Sequence, residues 1–262
     1  MATRSPGTRA LPRLPELSAS DLEGELPIFP LPGALLLPRG RLPLNIFEPR
    51  YLSMVDDALR SRRLIGMLQP QKDDTDDEDE DGDAEEAAEA PPVERSTLVM
   101  PGGLNMLARE PQPALYHVGC VGRLISFAER EDGTYAITLA GVARFRVSQE
   151  LEPVQGYRRV MPDLSPYADD FVEPGPISFD REALLTALRR YFSLRGFEAR
   201  WQAIEQMDDE TLIVTLSMIC PFAVAEKQAL LEAPNLLERA GTLLALLQMA
   251  GHETDDRKPH AV

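Results

Sequence analysis

Between Leu26 and Tyr51 the chain reads LPIFPLPGALLLPRGRLPLNIFEPRY, with prolines at Pro27, Pro30, Pro32, Pro38, Pro43 and Pro49. Proline locks φ and lacks a backbone donor, so no helix can run through this stretch. Its short apolar runs, Ile28-Phe29, Ala34 to Leu37, Leu42 and Leu44 to Phe47, are bounded by Pro and Gly and predict buried strands joined by tight turns. Pro49 suits the first turn of a helix. Tyr51, Leu52, Val55, Ala58 and Leu59 then recur at helical spacing. The stretch is expected to lead into a β-barrel and to be closed by one helix.

Further along, Leu64 to Leu68 reads as a short strand. Val118, Val121, Leu124, Ile125 and Phe127 mark another, with Gly119 and Gly122 where it would bend or bulge. Glu131-Asp132-Gly133 predicts a hairpin turn. Tyr135, Ile137 and Leu139 alternate along the returning strand. Gly141 to Val147 reads as a turn and a further strand, bulged or bent near Ala143, and Gly156 to Met161 as the run that closes the barrel. After Pro166 the spacing becomes helical. Helices are expected at Asp180 to Phe192, Ala199 to Met207, Glu210 to Ile219 after an Asp208 or Asp209 cap, Val224 to Leu231, and onward from Asn235. The fold class is therefore α+β, an N-terminal barrel followed by a C-terminal helical bundle. The division is a disordered arm at 1–24, the barrel at 25–165, the helical part at 177–250 and a polar tail at 251–262.

Charge refines this picture. The formal net charge is -16, but twelve acidic residues and no basic one lie between Asp73 and Glu89. Without them 31 acidic residues face 27 basic ones. So many like charges repel and bury nothing, which predicts a solvated, disordered insertion over 71–92. DEDEDGD within it lacks the ligand spacing of an EF-hand loop. Residues 93–113 are weakly patterned and read as a mobile loop. No apolar run is long enough to span a bilayer, and the Arg-bearing N-terminus has no secretory core. Cys120 and Cys220 are too few for a disulfide scaffold, which predicts reduced thiols in a cytoplasmic protein.

Catalytic chemistry finds no support. The phosphate-loop spacing G-x-x-x-x-G-K-[ST] is absent, as are CxxC and HExxH. Two of the three histidines, His252 and His260, fall in the tail, and His117 near Cys120 reads as structural. No catalytic residue, metal site or cofactor is expected.

LPIFPLPGALLLPRGRLPLNIFEPRY resembles the opening of the N-terminal substrate-recognition domain of the Lon protease family, where a segment of the form LPLFPL…LFP…LPLxIFEPRY leads into the same helix. Val118 to Val147, VGCVGRLISFAEREDGTYAITLAGVARFRV, and Glu226 to Pro234, EKQALLEAP, extend the resemblance over residues 26 to 250. It implies a PUA-like barrel, with the acidic tract inserted between two of its strands. It also implies a stand-alone recognition domain without the ATPase and Ser-Lys protease domains of the full-length enzymes. The expected function is non-enzymatic recognition of unfolded or degron-bearing polypeptides, with a separate protease or chaperone as a further partner.

FEPRY, Phe47 to Tyr51, has two readings. In the architectural one, Phe47 and Tyr51 pack the barrel mouth and Glu48 pairs with Arg50. In the functional one, a peptide groove uses Phe47, Glu48, Arg50 and Tyr51 together with exposed apolar residues Leu35, Leu36, Leu37 and Met54. The alternative function is that of a PUA-like RNA binder, using Arg60, Arg62 and Arg63 or Arg144, Arg146, Arg158 and Arg159. The mildly acidic fold and the acidic tract argue against nucleic acid, and no membrane partner is expected.

Overall fold

Three of the four apolar runs between the prolines enter strands, two strands in all. The computed structural model describes residues 17–71 and 113–253; the arm up to residue 16, the insertion and weakly patterned loop at 72–112 and the tail from 254 lie outside the described residues. Strand β1 is Leu26–Pro30, parallel to β3 (Leu64–Leu68) and antiparallel to β6 (Tyr157–Asp163). Each flank of β1 is paired over three residues, so the missing donors of Pro27 and Pro30 remove few ladder bonds. Among the described residues strand β2, Arg41–Ile46, pairs with β5 alone, and it accepts Pro43 as an edge strand can. Helix α1, Pro49–Arg60, starts on Pro49 and buries Tyr51, Met54, Val55 and Ala58 along one stripe.

Ala34 to Leu37 does not form a strand. The run is a loop laid across β5. The N–H of Arg39 donates to the carbonyl of Gly141 at 2.9 Å, and the N–H of Gly141 donates to that of Gly40 at 2.9 Å. A Cβ on Gly141 would lie 1.9 Å from the Leu37 carbonyl oxygen, so only glycine admits the loop here. The loop turns Leu35, Leu36 and Leu37 inward, all of them buried.

Strands β4 (Val118–Glu129) and β5 (Tyr135–Val154) form a long hairpin around Arg130–Thr134, with Gly133 at φ 79. The expected break after Leu139 is absent: β5 is one strand of 20 residues. A bulge replaces the break, since Val121 pairs with Ala143 and Gly122 with Gly141, leaving Val142 extra. The bulge lets one strand serve three neighbours. Its first part meets β2 and β4, and its last part meets β6 from Arg146 to Val154. The result is a six-stranded mixed sheet in the order β2-β5-β4-β3-β1-β6, whose last strand also pairs with β5.

Residues 17–24, expected to be disordered, instead include a 3-10 turn, Ala19–Leu22, held by Ser18 and Asp21. Burial of Leu22 in the sheet's interior gives this segment its order. A second 3-10 turn, Ser165–Phe171, leads into the irregular residues 172–179 and then the helices. Asp180 caps α2 (Arg181–Arg195), which Gly196 ends at φ 68. The short α3 is Trp201–Glu205, and Asp208 caps α4 (Asp209–Ile219). Helices α5 (Val224–Glu232) and α6 (Leu236–Glu253) follow.

Two apolar clusters hold the fold together. One fills the sheet's interior with Leu26, Ile28, Val121, Phe145 and Val160. The larger runs from Leu35–Leu37 and α1 through Leu139 to Leu188, Leu212 and Leu243, so sheet and helices share a continuous core.

Candidate functional site

The residues expected to line a peptide groove separate into two groups. Leu35, Leu36, Leu37, Tyr51 and Met54 are buried, and Met54 is 0% exposed. They offer no surface to a peptide, because the loop and the apolar stripe of α1 fill the same core; the exposure expected of Leu35, Leu36, Leu37 and Met54 is corrected. Tyr51 packs its ring 4.3 Å from that of Phe29. Phe47 is 69% exposed. Glu48 and Arg50 pair at 2.8 Å on the surface, with the Arg50 guanidinium 4.6 Å above the Tyr51 ring.

A double opening lies where the sheet meets the helices. Two adjoining hollows of about 500 and 420 Å³ share Arg39, Glu210 and Val214. Arg39 and Glu210 form an ion pair at 3.3 Å between them, and an Arg39 η nitrogen donates to the carbonyl of Val172 at 2.6 Å. The larger hollow has apolar walls from Val172, Pro174, Pro176, Ile177, Leu236 and Leu237. Val172 is 63% exposed and Leu237 45%. Ile219, also exposed, lines the smaller hollow. A third hollow of about 740 Å³ lies between the two 3-10 turns. Two of its polar side chains are engaged locally, Ser18 with Asp21 at 2.7 Å and Ser165 with Asp163 at 2.6 Å.

Behind the larger hollow sits a buried charge cluster. Arg144 of β5 donates to both carboxylate oxygens of Asp170, at 2.9 and 2.8 Å, and to the carbonyl of Ala233 at 2.6 Å. Arg144 thereby ties the sheet to the carbonyls that end α5, where the helix dipole favours a cation. Burial opposes its charge, but the hydrogen bonds and charge of Asp170 outweigh this and raise the guanidinium's pKa. Arg239 of α6 is 6% exposed and lines the same hollow. Its Nε donates to the Leu230 carbonyl at 2.8 Å. Among the described residues its two η nitrogens have no hydrogen-bond partner, and it makes no ion pair. Burial, then the nearby Arg144 charge, pushes Arg239 down to about 10.

Arg239 and Asp170 were not singled out from sequence. One signal was present: Arg239 falls on the α6 face of Leu236, Leu243 and Leu247, where a charge needs a reason. Besides Arg144, four of the arginines proposed for RNA are otherwise engaged. Arg62 donates to the carbonyls of Glu23 and Glu25, Arg158 pairs with Glu150 at 2.6 Å, Arg159 pairs with Glu25, and Arg60 lies 3.5 Å from Asp57.

Among the described residues no group of three or more His, Cys, Asp or Glu side chains is placed to hold a metal ion. Cys120 and Cys220 are free and buried, and burial pushes Cys220 up to about 12 and Cys120 higher still. Neither thiol should react with a water-soluble disulfide reagent in the native protein at neutral pH, and both should react after denaturation. Rapid native labelling would show that these sites open. Among the described residues no helix is long and apolar enough to cross a membrane.

The family model of the ATP-dependent protease La (LON) substrate-binding domain matches residues 25–249. The chain belongs to this family. The Lon substrate-binding domain described above is similar to part of Lon protease 2 of Sorangium cellulosum, 26% identical over 189 residues, which are 72% of this chain and 17% of that protein. It is also similar to part of the Lon protease of Parabacteroides distasonis, 24% identical over 232 residues, 85% of this chain and 23% of that one. The chain thus spans less than a quarter of the length of either relative. The crystal structure of a Lon N-terminal domain protein from Xanthomonas campestris shares its fold, with a TM-score of 0.50 and 21% identity over 85% of this chain and 98% of that chain. A Lon substrate-binding domain is a substrate-recognition unit, and substrate recognition is the general role of residues 25–249.

Proposed function

We propose that this chain is a non-enzymatic recognition module for unfolded or degron-bearing polypeptides, held in the seam between sheet and helices and passed to a separate protease or chaperone in the cytoplasm. The observation that carries the reading is the pair of joined hollows with exposed Val172, Leu237 and Ile219 on their walls. Apolar openings between packed units are a usual location for binding sites, and exposed apolar walls suit segments that folded proteins hide. The PUA-like barrel reading is supported by the double pairing of β6, to β1 and to β5.

The test is a titration against a labelled, permanently unfolded polypeptide and against single-stranded RNA, each at low and moderate salt. Polypeptide binding that tolerates salt is expected. Val172→Glu combined with Leu237→Glu should weaken it about tenfold or more, while stability changes by less than about 1 kcal/mol because both side chains are exposed. Salt-sensitive binding to RNA alone would favour the alternative function, and unchanged polypeptide affinity in the double variant would move the site elsewhere. Exposure of Phe47 favours a second contact beside Glu48 and Arg50. Phe47→Ser would then lower affinity with no change in melting temperature.

A further inference from the structure

The guanidinium of Arg239 has no anion of its own. Arg144 and Arg239 both sit at 6% exposure or less, and Asp170, the carboxylate buried near them, is bonded to Arg144 through both oxygens. Glu210 is taken by Arg39. Asp169 and Glu173 also line the hollow, but both are exposed to solvent at its rim. A buried cation that keeps one hydrogen bond, to the Leu230 carbonyl, and leaves its other donors unbonded is costly. Here the two unbonded η nitrogens belong to a side chain lining a hollow of about 500 Å³, large enough for a ligand group.

A second set of donors converges on the same hollow. Leu236 and Leu237 open α6 and line the cavity. Asn235 takes the N–H groups of Glu238, through its side chain at 2.9 Å, and of Arg239, through its carbonyl at 3.0 Å. Among the described residues the N–H groups of Leu236 and Leu237 have no acceptor. The positive end of a helix of 18 residues therefore faces the space that Arg239 lines.

We propose that this hollow is a receptor for a chain end: the C-terminal carboxylate of an extended polypeptide sits between the Arg239 η nitrogens and the first N–H groups of α6, its last apolar side chain against Pro174, Pro176 and Ile177. This rests on the polypeptide-recognition reading above and specifies its substrate class. A guanidinium fork and a pair of backbone N–H groups both match a carboxylate's two oxygens. A chain end can enter a pocket walled by prolines and aliphatic side chains, whereas a continuing main chain would leave its own amides unpaired there. The occupant supplies the missing negative charge.

The test uses the full chain and short fluorescein-labelled peptides of one apolar sequence, followed by fluorescence anisotropy: a free C-terminal acid, the corresponding amide, and an amide with an internal Glu. The acid should bind about tenfold or more tightly than the amide, the range of a charge-assisted hydrogen bond, and the internal Glu should not restore affinity. Arg239→Met should remove most of the acid's advantage over the amide, leaving only what the N–H groups of α6 supply, and should leave the amide unchanged. Equal binding of acid and amide overturns the chain-end receptor while leaving polypeptide recognition standing. Full rescue by the internal Glu overturns the chain end as the occupant. A preference for acid that is undiminished in Arg239→Met overturns the assignment to this site, and binding of no peptide overturns both readings. The acid–amide comparison needs only the unaltered protein, so it stands even if Arg239→Met fails to fold.

Discussion

Asp170→Ala is expected to destabilise the protein by about 3–5 kcal/mol, the cost of removing one partner from a buried ion pair. The carboxylate accepts from Nε and Nη2 of Arg144 and also from its backbone N–H, at 2.8 Å. Without it, Arg144 keeps the carbonyls of Leu231, Ala233 and Pro234 but loses its counter-charge, and Arg239 loses a carboxylate whose charge favours its own. Two guanidiniums would then lie in the seam with no carboxylate buried between them. Urea denaturation followed through Trp201, the only tryptophan, would measure the loss. A change below about 1 kcal/mol would mean that the pair contributes no more than a surface salt bridge does.

Gly141→Ala should cost about 3 kcal/mol or more, at the upper end of what an overpacked site costs. The added methyl would meet not a side chain that can rotate but backbone: the Leu37 oxygen at 1.9 Å, the Leu37 carbonyl carbon at 2.7 Å and the Pro38 nitrogen at 3.2 Å. Relief would require lifting the whole loop that carries Leu35, Leu36 and Leu37 out of the core. Gly175→Ala is the matched control, since nothing lies within 4 Å of its added Cβ. It should shift stability by less than about 1 kcal/mol. Equal effects of the two substitutions would contradict the packing described for the loop.

Much of the fold was legible because it depends on neighbours in sequence. Pro49 starts α1, Asp180 and Asp208 cap α2 and α4, Gly196 stops α2, and the turn at Glu131–Gly133 joins β4 to β5. The bulge beside Ala143 could be read from apolar residues that break alternation. Features set by distant parts of the chain were not legible. Leu35 to Leu37 read as a buried strand, or as exposed residues of a peptide groove, because four apolar residues between Gly33 and Pro38 carry no mark of what will cover them. Strand β5 looked like two strands because Gly141 suggests a turn, whereas its role is to admit the loop. Arg144 was counted as a surface arginine, since Asp170 and the end of α5 reach it only through the tertiary fold. The same holds for Arg239, whose isolation is a property of the assembled seam.

The pairing of β1 also has a consequence for synthesis. Leu26 pairs with Val160, 134 residues further along the chain. At about 5–20 residues per second, roughly 7–27 seconds separate the making of one from the making of the other. Through that interval β1 can gain β3 on one flank while the other waits for β6. An apolar strand with an open flank is a template on which nascent or misfolded chains can add. Leu31 donates toward β3, to the carbonyl of Leu68, and N–H groups alternate between the flanks of a strand, so the donor missing at Pro30 falls on the flank that waits; a proline that forbids a helix here also guards an edge that the finished sheet no longer has.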